Sequence, residues 1–218
     1  MNLVPPLWNN RQEAGQALAA RFQAWDQPHA LTLLLALPRG GVPVAAAMAE
    51  VLGWPLATWS VRKVADPSWP ELAIGAIAAG GVGVWRDGEG ISAREREQLA
   101  RQHGWLRREE QELARRQSLF GDPPAESLRH RHLVVVDDGI ATGMTVRAAL
   151  LSLRQCDPAS LTLAVPVVDE QVAEELKRLV DRLEALAVVR DLRAVGLWYQ
   201  TFEQLRDQQV LDLLRQGP

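Results

Sequence analysis

The chain has 218 residues, 47% hydrophobic and 23% charged, a length and balance that can bury a sizeable core and that exclude a disordered or disulfide-stapled scaffold. Its 27 acidic against 24 basic residues give a formal net charge of -3, which speaks against general nucleic-acid binding, a function that draws on a basic excess. The only cysteine, Cys156, excludes an internal disulfide and a cysteine-built zinc cage, MNLVPPLWNN lacks the basic start and apolar centre of a signal peptide, and the apolar run 30–37 is too short to span a membrane, so a cytoplasmic protein is expected.

Ala14, Leu18, Ala19, Phe22 and Trp25 recur at helical spacing and predict an amphipathic helix over 11–25. The continuous apolar run 31–37 stops at Pro38 and has the length of a strand buried on both faces. Arg39-Gly40-Gly41 follows as a loop, then a helix over 44–52 and a strand over 56–61. Residues 65–71 carry two prolines and read as a loop. Residues 72–85 suggest two short strands joined by Ala79-Gly80-Gly81.

Residues 91–120 are charged and helix-forming, with Leu99, Leu106, Leu113 and Phe120 seven apart. The second apolar position of each heptad is missing, so the pattern predicts a surface helix with one buried stripe, open to interruption at Gly104, and not a coiled coil. After a proline-bearing linker over 121–132, strands are expected at 133–136, 161–168 and 187–189, and helices at 145–155, 170–185 and 207–214. Aliphatic strands alternating with helices predict an α/β fold with a mainly parallel central sheet flanked by helices.

The most informative stretch is Leu133-Val-Val-Val-Asp-Asp-Gly-Ile-Ala-Thr-Gly-Met-Thr145. Four aliphatic residues bury a strand. At its C-terminal end, where open α/β sheets place ligands, stand Asp137 and Asp138. A short loop with small residues and threonine hydroxyls then opens a helix. Small residues let backbone approach a ligand, and amides at a helix N-terminus point outward with partial positive charge. Such a loop suits a phosphate. Two adjacent carboxylates suit neutral hydroxyls or a metal ion, because they repel a phosphate. A 5-phosphorylated ribose offers that combination.

The stretch resembles the signature of the type I phosphoribosyltransferases. That resemblance implies that Asp137 and Asp138 bind the ribose hydroxyls of phosphoribosyl pyrophosphate (PRPP), and that Gly139, Ala141, Thr142, Gly143, Met144 and Thr145 wrap its 5-phosphate. Leu37-Pro-Arg-Gly-Gly-Val-Pro-Val-Ala45 is similar to the pyrophosphate loop of these enzymes, with Arg39 suited to bidentate phosphoryl contacts beside Gly40 and Gly41. Arg62 and Lys63 fit a further pyrophosphate contact. The segment 67–75, with Glu71, resembles the region of the mobile lid. The whole chain resembles a bacterial and archaeal group that carries the Pro-Arg-Gly-Gly-Val-Pro loop. Members often carry Arg-Lys-Leu-Gly where this chain has Arg62-Lys63-Val64-Ala65, and an acid where it has Thr201.

The resemblance implies a single phosphoribosyltransferase domain over 1–218, with a small hood subdomain contributed by 186–218. It also implies a homodimer acting in nucleotide metabolism. The expected reaction passes the phosphoribosyl group from PRPP to a nitrogenous acceptor, with Asp137, Asp138, Arg39 and Lys63 carrying the catalytic work and magnesium held through PRPP. Enzymes for 6-oxopurines carry an aspartate where this chain has Ala141, which leaves adenine-like or non-purine acceptors open. Tyr199, with Trp198 and Phe202, suits either stacking on a base or core packing. The alternative is a PRPP- or nucleotide-sensing regulator that keeps the phosphate cradle without turnover.

Overall fold

Aliphatic segments that cannot face water on either side define the centre of the molecule. In the computed structural model, which describes residues 6–25, 29–66, 69–88 and 90–216, they are β1 (Thr32–Ala36), β2 (Leu56–Thr58), β6 (His132–Val136), β7 (Ser160–Asp169) and β8 (Arg182–Val189). All their pairings are parallel, in the order β2-β1-β6-β7-β8. Between β2 and β6 in the chain, β3 (Val61–Asp66), β4 (Trp69–Ala78) and β5 (Val82–Trp85) form a second, antiparallel sheet. The predicted mainly parallel sheet is therefore present, with a small three-stranded sheet added to it.

Side-chain alternation along each strand sends apolar groups to two faces. Leu34, Ala36, Val134, Val136 and Ala164 pack with α1 (Arg11–Ala19), α2 (Gly41–Leu52) and α7 (Asp207–Gln216) on one face. Leu33, Leu35, Leu133, Val135, Leu161 and Leu163 pack on the other with α5 (Met144–Arg154) and α6 (Glu170–Leu176). The three-stranded sheet lies outside α5 and is itself covered by α3 (Ala93–Gln102) and α4 (Trp105–Phe120), through Val64, Ile74, Ile77, Ala100, Leu106 and Leu113. Among the described residues no helix is long and apolar enough to cross a membrane.

Several predicted boundaries move for identifiable reasons. The strand expected over 56–61 splits at Trp59-Ser60. There the hydroxyls of Thr58 and Ser60 and the Ser60 amide all donate to Asp122, at 2.6–3.1 Å, and the chain leaves one sheet for the other. Of the loop expected over 65–71, residues 67 and 68 lie outside the described residues, and the rest belongs to the paired strands β3 and β4. Their register slips between Val64 and Asp66, opposite the position of Pro70, which has no amide hydrogen to donate. Gly104 does interrupt the charged helix, in the left-handed region at φ 71°. That break rotates the stripe, so Ala100 is buried while Leu99 is exposed.

The helix expected over 170–185 stops at Leu176. Asp181 exchanges hydrogen bonds with the backbone of Leu161, 2.8 Å from its own amide and 2.7 Å to its carboxylate, and this docks 182–189 onto β7 as a strand. Pairing along an apolar edge outweighs the helical preference of that charged stretch.

The chain order fixes where a ligand belongs. From β1 the chain crosses to β2 on one side, and from β6 to β7 and β8 on the other. Neighbouring strands β1 and β6, paired from Thr32↔His132 to Ala36↔Val136, therefore flank the switch point. Their C-terminal ends open the crevice in which doubly wound sheets bind ligands.

Candidate active site

Both segments singled out in the sequence leave the sheet at that crevice. After β1, Leu37 donates from its amide to the Val136 carbonyl at 2.9 Å, and Gly41 donates to Leu37 at 3.0 Å, which folds Pro38–Gly41 into a turn against β6. The Pro38–Arg39 peptide is cis. The turn has no room for side chains at its glycines. A Cβ on Gly40 would collide with the Asp138 carboxylate, and one on Gly41 would collide with the Val136 carbonyl.

After β6, Asp137 and Asp138 are both half-buried. Asp138 donates from its own amide to Asp137 Oδ1 at 2.9 Å. The loop beyond them is fastened in the middle, where Ile140 donates to the Val167 carbonyl and accepts from the Asp169 amide, both at 2.9 Å. Gly139 packs against Val195 and Val167, at 2.5 and 2.9 Å from where a Cβ would stand. Gly143, at φ 71°, packs against Val172 at 2.6 Å. Gly143 then opens α5 with no side-chain cap. Among the described residues no backbone hydrogen bond uses the amides of Ala141, Thr142 or Gly143, and the first amides of a helix have no intrahelical partner. The exposed Thr142 and the half-exposed Met144 and Thr145 border them. The loop can present several donors and the α5 dipole to an anion.

Asp138 is the hub of the site. Its Oδ2 accepts from Arg11 Nε at 2.7 Å. Its backbone carbonyl accepts from the Tyr199 hydroxyl at 2.5 Å. The Arg11 guanidinium lies 3.7 Å from the centroid of Phe202 and donates to the Glu203 carbonyl at 3.0 Å. Tyr199 is buried between Trp8 and Phe202, with ring centroids 5.5 and 5.1 Å away. Burial, and then the charge of Asp138, hold the Asp137 carboxyl well above the ordinary carboxylate range. Burial raises Asp138 as well, against the pull of Arg11. Burial and the Asp138 charge push the Tyr199 phenol up, so this residue stays a neutral donor.

Asp137, Asp138, Gly40, Gly41 and Tyr199 thus meet at one crevice, and Gly139 and Ala141–Thr145 form its next wall. Two of the cations expected with them, Arg39 and Arg62, are held by acids. Arg39 reaches Asp207 at the start of α7, at 3.4 Å, and Asp207 also accepts from Arg115 at 2.8 Å. Arg62 pairs with Glu109 of α4, at 2.6 and 2.8 Å. Lys63 lies on β3 opposite Ala76 with its side chain exposed. Glu71 falls within β4, and its side chain lies outside the described residues. Asp207 and Glu109 carried no local motif, whereas Phe202 belongs to the aromatic trio noted with Tyr199. The one available hint for Arg11 was a cation opening an otherwise amphipathic helix.

The phosphoribosyl transferase domain matches residues 12–189 of the chain. A Mycobacterium tuberculosis protein, Rv0571c, provisionally named a phosphoribosyl transferase, is 35% identical over 95% of the chain, which spans only 46% of that protein. The chain thus covers about half the length of the curated relatives it matches. The crystal structure of TT1426 from Thermus thermophilus is 33% identical, with a TM-score of 0.72 over 95% of this chain and 97% of that one. A Neisseria gonorrhoeae protein solved with bound ppGpp shares the fold alone, at 14% identity and a TM-score of 0.52 over 99% of this chain and 98% of that one. With the domain matched from α1 through β8, and the twin acids and their glycine-walled loop standing at the switch point of the sheet, this chain belongs to the phosphoribosyl transferase domain family.

Proposed function

We propose that the chain is a phosphoribosyltransferase that moves the 5-phosphoribosyl group from PRPP to a nitrogenous acceptor and releases pyrophosphate. One observation carries the reading. Two half-buried carboxylates stand directly before a loop whose amides, at a helix N-terminus, are unpaired among the described residues, and beside a turn whose two glycines leave no room for a Cβ. The acids suit ribose hydroxyls, the loop suits the 5-phosphate, and the Pro38–Gly41 turn suits the leaving group.

In this reading the C1–oxygen bond of PRPP breaks and its electron pair leaves on pyrophosphate. The acceptor nitrogen supplies the pair for the new C1–N bond, and the proton of that nitrogen passes to solvent. Positive charge grows on the ribose in between, so fixed acceptors at its hydroxyls and donors at the departing phosphates lower the barrier. Asp138 is positioned to accept from a hydroxyl, and Asp137, held toward its neutral form, to share a proton with the same group. Arg39, with Lys63 and Arg62 as further cations, neutralises the leaving group once Asp207 and Glu109 release them. Magnesium, when bound, would add charge neutralisation on the pyrophosphate. The residues fit an ion carried by PRPP oxygens, because one oxygen of the aspartate pair is already committed to Arg11. Phe202 and Trp198 pack against the cluster of Trp8 and Tyr199, which favours the core-packing role of the aromatic trio over stacking on an acceptor.

The test is pyrophosphate release with PRPP, magnesium and a panel of nitrogenous bases, using the native chain and the variants Asp137→Asn and Asp138→Asn. Release with at least one base, reduced about tenfold or more by either substitution, is expected. Unchanged turnover in both variants would remove the ribose assignment. A second reading, a PRPP sensor without turnover, is favoured by one observation: Arg39 and Arg62 are both paired within the chain. Tight PRPP binding with no release for any base would establish it.

A further inference from the structure

Asp138 cannot be described without Arg11. The acid stands at the C-terminal end of β6, and the arginine opens α1 on the far side of the sheet sequence. Both side chains are largely shielded, at 11% and 14% exposure, and Nε meets Oδ2 at 2.7 Å. The same carboxylate lies against the backbone of Gly40, where a Cβ would collide with Oδ2. The same guanidinium supports the Phe202 ring and holds the Glu203 carbonyl. One side chain therefore contacts both Asp138 and the aromatic C-terminal segment at Phe202 and Glu203.

We propose that Arg11 is a positioning residue for the phosphoribosyl group: it fixes Asp138 through Oδ2, turns Oδ1 to the ribose hydroxyls, and ties that acid to the segment of Phe202 and Glu203. The inference rests on the function proposed above and deepens it. A shielded guanidinium–carboxylate bond is directional and charge-assisted. Losing it leaves Asp138 free to rotate and without its counter-charge, beside a second acid. The charged and titratable groups facing Asp138 are Arg11 from α1, Asp137 from its own loop and the Tyr199 hydroxyl from the C-terminal segment. Arg39, on the Gly40 turn, points its guanidinium to Asp207 instead. Arg11 is the cation in contact with this acid.

The test compares Arg11→Met and Arg11→Lys with the native chain by calorimetric titration of three probes: PRPP, ribose 5-phosphate and inorganic pyrophosphate. Arg11→Met is expected to weaken PRPP and ribose 5-phosphate about ten- to a hundredfold, with pyrophosphate affinity unchanged. Arg11→Lys, which keeps the charge but not the planar contact with Phe202, recovers part of the loss. In an Asp138→Asn background Arg11→Met should cost far less, because the two residues act as one unit. Native affinity for both sugar phosphates in a folded Arg11→Met variant overturns the proposal. So does parallel loss of all three probes in both variants, which is the signature of a merely structural residue. If the native chain binds pyrophosphate but neither sugar phosphate, the phosphoribosyl reading itself falls, and the role of Arg11 falls with it.

Discussion

Asp137 shows how a functional site weighs on the stability of the molecule that carries it. Its carboxyl is held above the ordinary range by burial and by Asp138. An unfolded chain gives up this proton near pH 4, whereas the folded chain keeps it to higher pH. Between those two points the folded state binds more protons, so stability falls as pH rises through the interval. Below about pH 4 both states are protonated and the effect vanishes. Asp137→Asn should therefore melt higher than the unligated native chain at pH 8, by roughly 2–4 °C, the shift that about 1 kcal/mol gives in a chain of this size. The gap should close as pH falls toward 4. Thermal unfolding across that range checks it, and a native chain more stable than the variant at pH 8 would contradict the argument. The paired acids were legible in the sequence because they follow an aliphatic strand. The pairing of Arg11 with Asp138 was not, since 127 positions separate the two.

Among the helices, α1 and α2 are in closest contact, and Gly15 makes that contact possible. A Cβ there would collide with the Val44 carbonyl and stand 2.8 Å from the Ala47 Cβ. Alanine normally favours a helix over glycine by about 1 kcal/mol, but here the obstacle is a backbone that cannot rotate away. Overpacking of this kind costs about 1–3 kcal/mol, so Gly15→Ala should lower stability in urea unfolding despite its better propensity. A gain would mean that the helices part without strain. Element types followed well from periodicity: α1, α2, α5, the β4–β5 pair and the break at Gly104 all stand near their predicted places. The failures occurred where partners from distant sequence decide the outcome. Residues 182–186 become strand because Asp181 and β7 are there to receive them. Leu99 leaves the buried stripe because a single left-handed glycine resets the helix phase.

At the scale of the whole molecule, the two sheets differ in how well they are covered. β1 and most of β7 are buried throughout, whereas β5 is only partly shielded. Local opening follows burial and packing. Amides of the edge strand β5 should therefore exchange with solvent well before those of β1, β6 and β7, by about tenfold or more in rate. Hydrogen-exchange mass spectrometry resolves this, and uniform protection across both sheets would contradict it. The parallel sheet was legible because its strands are continuous aliphatic runs. The separate antiparallel unit was not, because nothing local in Trp59-Ser60 announces a change of sheet; Asp122, far along the chain, provides the junction.

Residues 7–9 are hydrogen-bonded to 198–201: the amides of Leu7 and Trp8 donate to the Trp198 carbonyl, Gln200 donates to Trp8, and Thr201 donates to Asn9. Anyone replacing the aromatic stretch with that of a homologue would break that seam unless the stretch before α1 travelled with it. The two segments therefore behave as one interchangeable cassette, and a chimera that moves only half of it should lose the support beneath Asp138.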